Sequence, residues 1–312
     1  SRLRARLAAL KFGACLSYLL ARLCLVKLVL LGVGKLALSV ARLAHESGVV
    51  QSVYGTTRSA KRFAELRDSG IEPFHFYQLF GGGPGGLARE FSAQQVAEFH
   101  ELFEDACLLI SFPPSGDFSY PAAFAQLCRN RARSVVYISS TSVYGSQTGL
   151  IADNTDVCAD TPLAAARLRA ECFFREAGAI VLRAPALYGF DRGLHLRLLS
   201  GSYVLPPLAD NIVSRIHQDD LGAIILSAFN KLAAGECYLV GDKLPARHRD
   251  VFLWLCERLK LDPAGFAGKN AGGTIRADRS VDGATILKRL EYELRYPDYK
   301  MGYEAILSRL GR

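Results

Sequence analysis

Lys27-Leu28-Val29-Leu30-Leu31-Gly32-Val33-Gly34-Lys35-Leu36-Ala37 is the stretch on which the fold turns. Its first five residues form a short apolar run with strand character. Two glycines spaced Gly-x-Gly and then Ala37 follow at once. From Leu38 to Ser47 the apolar residues return at helical spacing, and the pattern stops at Gly48. A strand, a Gly-x-Gly-x-x-Ala turn and a helix, in that order, are what a dinucleotide phosphate site requires. Gly32 permits the tight turn, Gly34 clears a side chain from the path of a pyrophosphate, and Ala37 lets the helix pack close to the strand. The free N–H groups of the first helical turn, with Lys35 among them, then face the phosphates.

Working outward, a second strand fits Val49 to Tyr54, followed by Gly55-Thr56-Thr57-Arg58. Sites that hold a free ribose 2′-hydroxyl place an acid at the end of this strand. No Asp or Glu lies between Val49 and Arg58. Arg58 stands where a guanidinium can pair with a 2′-phosphate, with Thr57 beside it, so the pattern favours NADP over NAD. Gly81-Gly82-Gly83-Pro84-Gly85-Gly86, after a strand ending near Leu79, lacks the Lys-Ser/Thr of a phosphate-binding P-loop and reads as a surface connection. A helix over Ala93–Phe103 and a buried strand over Ala106–Ser111 come next, then the rigid Phe112-Pro113-Pro114 turn. The strand Ser134–Ser139 runs into Ser140-Thr141-Ser142-Val143-Tyr144-Gly145, hydroxyls at the carboxyl end of a central strand, where ligands bind in such folds.

Repeated strand-helix alternation predicts an α/β protein, a Rossmann-type doubly wound parallel sheet with a smaller, interleaved C-terminal lobe. Residues 27–185 supply the dinucleotide-binding core and 186–312 the smaller lobe. Cys237–Val240 is expected to return to the sheet. The helix Arg249–Leu259 buries Phe252, Leu255, Cys256 and Leu259 on one stripe. Asp262–Gly273 reads as a loop.

Composition narrows the function classes. The chain has 312 residues, is half hydrophobic and carries a formal charge of +8. Eight Lys/Arg and no acid fall within residues 1–45, which leaves 30 basic against 30 acidic residues in the remainder. The body is neutral and bears no basic stripe, which argues against nucleic acid as a partner. The eight cysteines form no Cys-x-x-Cys pair and the six histidines are scattered, which gives a metal site no support. Buried free thiols in a reducing intracellular compartment are expected.

Residues 1–26, SRLRARLAALKFGACLSYLLARLCLV, form a basic amphipathic extension. Three readings stand side by side: the remnant of a mitochondrial or other organellar targeting segment, a helix for a protein partner or membrane surface with a Phe12/Leu16/Leu19/Leu20/Leu23 stripe, or a plain extension. Only ten uncharged residues separate Lys11 from Arg22, against roughly 20 for a transmembrane span.

Further landmarks follow in order: Leu182-Arg183-Ala184-Pro185-Ala186-Leu187-Tyr188-Gly189, Arg215-Ile216-His217-Gln218-Asp219-Asp220-Leu221, and Leu294-Arg295-Tyr296-Pro297-Asp298-Tyr299-Lys300-Met301-Gly302-Tyr303. With the Gly32/Gly34/Ala37 loop, Thr56-Thr57-Arg58 and Ser139–Gly145, they make the chain resemble the short-chain dehydrogenase/reductase superfamily. The likeness is to its extended, atypical branch of nucleoside-diphosphate-sugar epimerase-like proteins, and it runs from about Leu28 to Leu310. The resemblance implies a catalytic Ser or Thr, which Ser140 matches, and a Tyr-x-x-x-Lys. The positions for the latter read Leu163-Ala164-Ala165-Ala166-Arg167. Leu163 has no ionisable proton. Arg167 stays charged, able to hold phosphate or ribose but poor as a proton relay.

Other residues invite chemistry less strongly. Tyr144 reads as structural. Asp219 and Asp220 are paired carboxylates, with Asp220 expected to cap a helix starting near Leu221. Arg183 and Arg215 fit either an anionic substrate or structural ion pairs. The leading expectation is an NADP(H)-binding protein with an incomplete catalytic set, a structural or sensing subunit of a larger organellar assembly. The alternatives are an NADP-dependent oxidoreductase or nucleotide-sugar epimerase using Ser140, and a membrane-surface protein anchored by residues 1–26.

Overall fold

In the computed structural model, residues 26–75, 92–114, 122–266 and 278–311 are described. The N-terminal segment up to residue 25, the Gly81–Gly86 connection and the end of the Asp262–Gly273 loop lie outside them. The described chain begins with β1 (Val26–Leu31), α1 (Lys35–Glu46), β2 (Val50–Thr57), α2 (Phe63–Asp68) and β3 (Glu72–His75). Then come α3 (Ala93–Phe103), β4 (Ala106–Ile110), α4 (Ala122–Arg131) and β5 (Ser134–Ser140). These strands form part of a seven-stranded sheet in the order β11-β7-β5-β4-β1-β2-β3, where β7 is Ile180–Ala184 and β11 is Cys237–Leu239. The β1–β2, β1–β4, β2–β3, β4–β5 and β7–β11 pairings are all parallel. The parallel α/β architecture expected from the sequence is the one observed.

Parallel strands covered on both faces read as continuous apolar runs rather than alternating ones. β4 (Ala-Cys-Leu-Leu-Ile) is buried throughout, and β1 is buried except at Lys27. The Lys27 ammonium escapes along its stem to donate to the Glu101 carbonyl at 2.8 Å. β2 lies on one side of β1 and β4 on the other, so the order of connection reverses at β1. Ligands bind outside the carboxyl ends of strands at such a switch point.

The chain divides into two compact units. The first holds the described residues up to Tyr137 together with Phe173–Ile180 and Ile225–Gly235. Its core includes an aromatic cluster of Phe99, Phe103, Phe124, Tyr137 and Phe174, with the Tyr137 and Phe174 ring centroids 4.6 Å apart. α3 starts at a capping box. Ser92 Oγ accepts from the Gln95 amide at 3.2 Å, and Gln95 Oε1 accepts from the Ser92 amide at 3.0 Å.

The second unit comprises Ile138–Cys172, Val181–Ile224 and the described residues from Glu236 onward. It contains β6 (Gly149–Ile151), α5 (Pro162–Glu176, completed in the first unit), β8 (Ala186–Tyr188), α6 (Leu194–Leu199), β9 (Ile212–Val213) and β10 (Arg215–His217). α7 (Gln218–Lys231, completed in the first unit), β12 (Ala246–Arg247), α8 (His248–Leu259), β13 (Arg279–Val281), α9 (Ala284–Leu290) and α10 (Tyr299–Arg309) follow. A four-stranded sheet runs β12-β9-β13-β6, and β10 pairs with β8. The expected stripe on α8 is realised, since Phe252, Leu255, Cys256 and Leu259 are all buried.

Several boundaries differ from the sequence reading. β2 extends to Thr57 because Thr56 and Thr57 pair with Phe74 and His75 of β3. α1 begins at Lys35, directly after Gly34. Pro263–Phe266 form a short 3-10 turn with Phe266 buried, so the start of that loop belongs to the core. α7 begins at Gln218, which puts Asp220 inside its first turn rather than at its cap. All six described cysteines are free thiols; Cys107, Cys128 and Cys256 are buried, Cys158 and Cys237 half-buried, and Cys172 exposed.

Candidate functional site

At the end of β1 the backbone turns sharply. Gly32 has φ +90°, and a Cβ there would lie 2.9 Å from the Phe112 Cβ, so both conformation and space require glycine. The Gly32 amide donates to Thr56 Oγ1 at 2.8 Å, and the Val33 amide donates to the Thr56 carbonyl at 2.8 Å. Ser111 Oγ and the Gly34 amide both donate to the Gly32 carbonyl, at 2.8 and 2.9 Å. Thr56 therefore ties the turn to β2 through both its side chain and its backbone.

Gly34 is the N-cap of α1, and no side chain caps the helix. A Cβ built on Gly34 would meet nothing within 4 Å. An uncapped helix start beside open space leaves backbone N–H groups available to an anion, with the positive end of the helix dipole behind them. No acid occupies the first turn of α1. Lys35 is exposed there, and Ala37 is fully buried against the sheet. This geometry fits a dinucleotide pyrophosphate. Gly32, Gly34, Lys35 and Ala37 stand where the sequence reading put them.

Thr57 and Arg58 end the neighbouring strand. Thr57 is buried and its Oγ1 accepts from the Ser59 amide at 3.3 Å, which makes it a turn-forming hydroxyl. Arg58 is exposed. The sequence reading missed Thr56 and Arg62. Arg62 Nη1 donates to the Val33 carbonyl at 2.6 Å, across 29 residues of chain. The only local sign of it is an Arg62-x-x-Glu65 pair at helical spacing.

The second unit carries the other candidates. Ser140, at the end of β5, is half-buried, and its Oγ accepts from the Ser142 amide at 3.1 Å, which leaves the hydroxyl proton able to donate. Ser139 Oγ and Ser142 Oγ are buried with no hydrogen-bond partner among the described residues. On α5, Leu163 is 45% exposed and Arg167 is half-buried. Tyr144 is fully buried, and its hydroxyl accepts from Arg183 Nη1 at 2.8 Å. Burial raises the phenol pKa, outweighing the nearby Arg183, so Tyr144 is unsuited to proton transfer near neutral pH. Arg183 forks onto the buried Glu171 through Nε and Nη2, at 2.8–3.2 Å. Burial alone would lower the Arg183 pKa, but pairing with Glu171 holds it above its ordinary value. Of the two readings of Arg183, the structural ion pair is the one formed.

Asp220 accepts from the Tyr292 hydroxyl at 2.8 Å, the Arg295 amide at 2.7 Å and the Tyr296 amide at 2.9 Å. It fastens the segment before α10 instead of capping a helix. Arg215 donates to the Val213 and Ala246 carbonyls at 2.7 and 3.2 Å, and its Nη2 lies 3.3 Å from His248 Nδ1. The other imidazole nitrogen is 2.6 Å from the Tyr203 hydroxyl, which puts the neutral-ring proton on Nε2. Burial, then Arg215, lower the His248 pKa to about 4. Asp242 Oδ1 accepts from the Leu244 amide, Oδ2 has no partner among the described residues, and burial pushes the carboxyl up to about 8.

Among the described residues, no group of three or more His, Cys, Asp or Glu is placed to hold a metal ion. None of the described helices is long and apolar enough to cross a membrane.

No family model matches the sequence, and no characterised protein matches it at the sequence level. Solved structures match the fold. A conserved protein of unknown function from Silicibacter pomeroyi DSS superposes with a TM-score of 0.71 at 23% identity, covering 91% of this chain and 98% of its own. The dTDP-glucose 4,6-dehydratase from Streptomyces venezuelae, solved with NAD bound, gives 0.71 at 17% identity, covering 90% and 96%. A UDP-glucuronic acid 4-epimerase from Bacillus cereus, in complex with NAD, gives 0.65 at 15% identity, covering 90% and 99%. The chain shares the fold of these proteins, among them NAD-bound sugar-nucleotide dehydratase and epimerase structures.

Proposed function

We propose that this protein binds NADP(H) in the glycine-loop cradle and acts as a structural or sensing subunit whose catalytic set is incomplete. The observation that carries the reading is Leu163, a solvent-exposed hydrocarbon where the fold's enzymes need an acid/base tyrosine. A bound nicotinamide dinucleotide supplies reversible hydride transfer. Here the turn at Gly32, the open face at Gly34 and the uncapped start of α1 hold the pyrophosphate. Arg58, with no acid between Val49 and itself, takes the 2′-phosphate, and Arg167 is a cation for phosphate or ribose. The acid-free, basic first 45 residues support a place in an organellar assembly, through a protein partner or a membrane surface. Vesicle flotation of the full chain and of a chain lacking residues 1–26 separates those two.

Calorimetric titration of NADPH and then NADH into the full chain tests the binding reading. Tight NADPH and weak NADH are expected. Brisk NADPH turnover by the free protein overturns the non-catalytic part.

A second reading is an NADP-dependent oxidoreductase or nucleotide-sugar epimerase that uses Ser140. It is favoured by the unpartnered, buried hydroxyls of Ser139 and Ser142 at the same strand end. Unchanged turnover in Ser140→Ala removes it.

A further inference from the structure

We infer that Arg62 is a positioning residue for the dinucleotide cradle: it sets the glycine loop by holding the Val33 carbonyl and does not itself contact the ligand. The inference rests on the proposed dinucleotide reading for its binding consequences, but not for its structural ones.

Val33 is the residue between the two glycines, and three contacts hold it. Its amide donates to the Thr56 carbonyl at 2.8 Å. Its side chain is buried so tightly over Gly55 that a Cβ on Gly55 would lie 2.5 Å from Val33 Cγ2. Its carbonyl receives Arg62 Nη1 at 2.6 Å. The first two contacts come from β2 and fix the near side of the residue. On the far side, the peptide that leads into Gly34 and the start of α1 is held by the Gly34 amide on the Gly32 carbonyl, within the loop itself, and by Arg62, the donor that ties it to the segment after β2.

The arginine is itself oriented. Its Nε and Nη2 fork onto the Glu65 carboxylate at 3.1 and 3.0 Å. A planar guanidinium anchored at two nitrogens has its third aimed by geometry, so the donor to Val33 is set before any ligand arrives. The Arg62–Glu65 pair is 32% and 54% exposed and contributes little stability as a surface ion pair. What it contributes is direction. A guanidinium engaged on both sides in this way is not the free cation that a 2′-phosphate needs. The exposed Arg58 suits that task.

The test has two arms on the full chain, with Arg62→Gln, Arg62→Lys and Arg58→Ser. The first is amide hydrogen exchange without added nucleotide. Arg62→Gln is expected to speed exchange across residues 32–37 by about 3- to 10-fold, the range one hydrogen bond supports, with an unchanged melting midpoint. Arg62→Lys, long enough to carry a donor to the Val33 carbonyl where the shorter Gln is not, recovers most of the protection. Unchanged loop exchange in Arg62→Gln overturns the inference. The second arm is calorimetric titration. Arg62→Gln is expected to weaken NADPH and NADH by the same factor, whereas Arg58→Ser weakens NADPH alone. A loss confined to NADPH in Arg62→Gln makes that residue a phosphate ligand and also overturns the inference. If the wild-type chain binds neither nucleotide, the binding proposal fails, and the exchange arm still decides the role of Arg62.

Discussion

β1 and β5 end differently. β1 runs out into Gly32-Val33-Gly34, where glycines, an alanine and backbone hydrogen bonds shape a turn and leave space beside a helix start. β5 runs out into Ser139-Ser140-Thr141-Ser142, where hydroxyls gather, while α5 of the same unit carries Leu163 and Arg167. The first region is shaped by backbone and by missing side chains, braced from outside by Thr56, Ser111 and Arg62. The second can do chemistry only through particular functional groups, and at position 163 the group is hydrocarbon. A turn of the first kind needs no proton-transfer group, whereas the second region depends on which side chain stands at each position. In that second region the Arg183–Glu171 pair and its bond to Tyr144 are buried contacts that hold β7, α5 and the turn after β5 together.

The largest expected effect tests whether the second region is held by structure. Glu171→Ala strands the buried Arg183 guanidinium and should cost about 3–5 kcal/mol in chemical denaturation. A loss below about 1 kcal/mol would mean that water reaches the pair, and the packing account would fail. Gly32→Ala probes the first region. Its positive φ and the approach of Phe112 should cost about 1–3 kcal/mol, with loss of nucleotide binding in titration. Normal binding by a folded Gly32→Ala chain would detach the cradle from its turn.

Titration sharpens the contrast. Asp242 binds its proton in the folded state up to about pH 8, against about 4 when unfolded. Its contribution therefore falls as pH rises between those values. His248, lowered to about 4 when folded, ionises near 6.5 unfolded, so its contribution rises over that lower range. The two oppose each other up to about pH 6.5, and above it Asp242 alone acts, costing about 2 kcal/mol by pH 8. Asp242→Asn should abolish the decline from pH 6.5 to 8 in denaturation midpoints. A decline that persists in the variant assigns it to another group. The smallest effect is Arg58→Ser, expected to weaken NADPH about tenfold, or about 1.4 kcal/mol, and to leave NADH unchanged. Equal losses for both nucleotides would remove Arg58 as the discriminating residue.

The two regions were also unequally legible in the sequence. The β1 turn could be read because its requirements are local: an apolar run, a glycine at positive φ and a small residue at the helix packing point all fall within eleven residues. The end of β2 was read short because Thr56 and Thr57 resemble turn residues, and only their pairing with β3 keeps them in the strand. Asp220 looked like a cap because an acid before an apolar run is a local signal. Its true partners lie more than 70 residues away. Arg62 was invisible for the same reason. On α5 the departure at Leu163 and Arg167 was plain from residue type, whereas the buried fork of Arg183 onto Glu171 needed the helix and β7 in place.

The Asp220 carboxylate has a consequence for synthesis. It stands on α7, but its three donors come from Tyr292, Arg295 and Tyr296, more than 70 residues later. Until those residues have emerged, burying the Asp220 carboxylate would leave it without its three donors, so the packing around it is expected to close only afterwards. A message truncated shortly before Tyr292 would lose the donors to Asp220 together with Tyr299, Tyr303, Ile306 and Leu307 of the buried cluster, and yield a chain open to proteolysis. Emergence of the segment from Tyr292 to Leu307, which brings both the donors to Asp220 and further residues of the buried cluster, is the event that commits this unit to its fold.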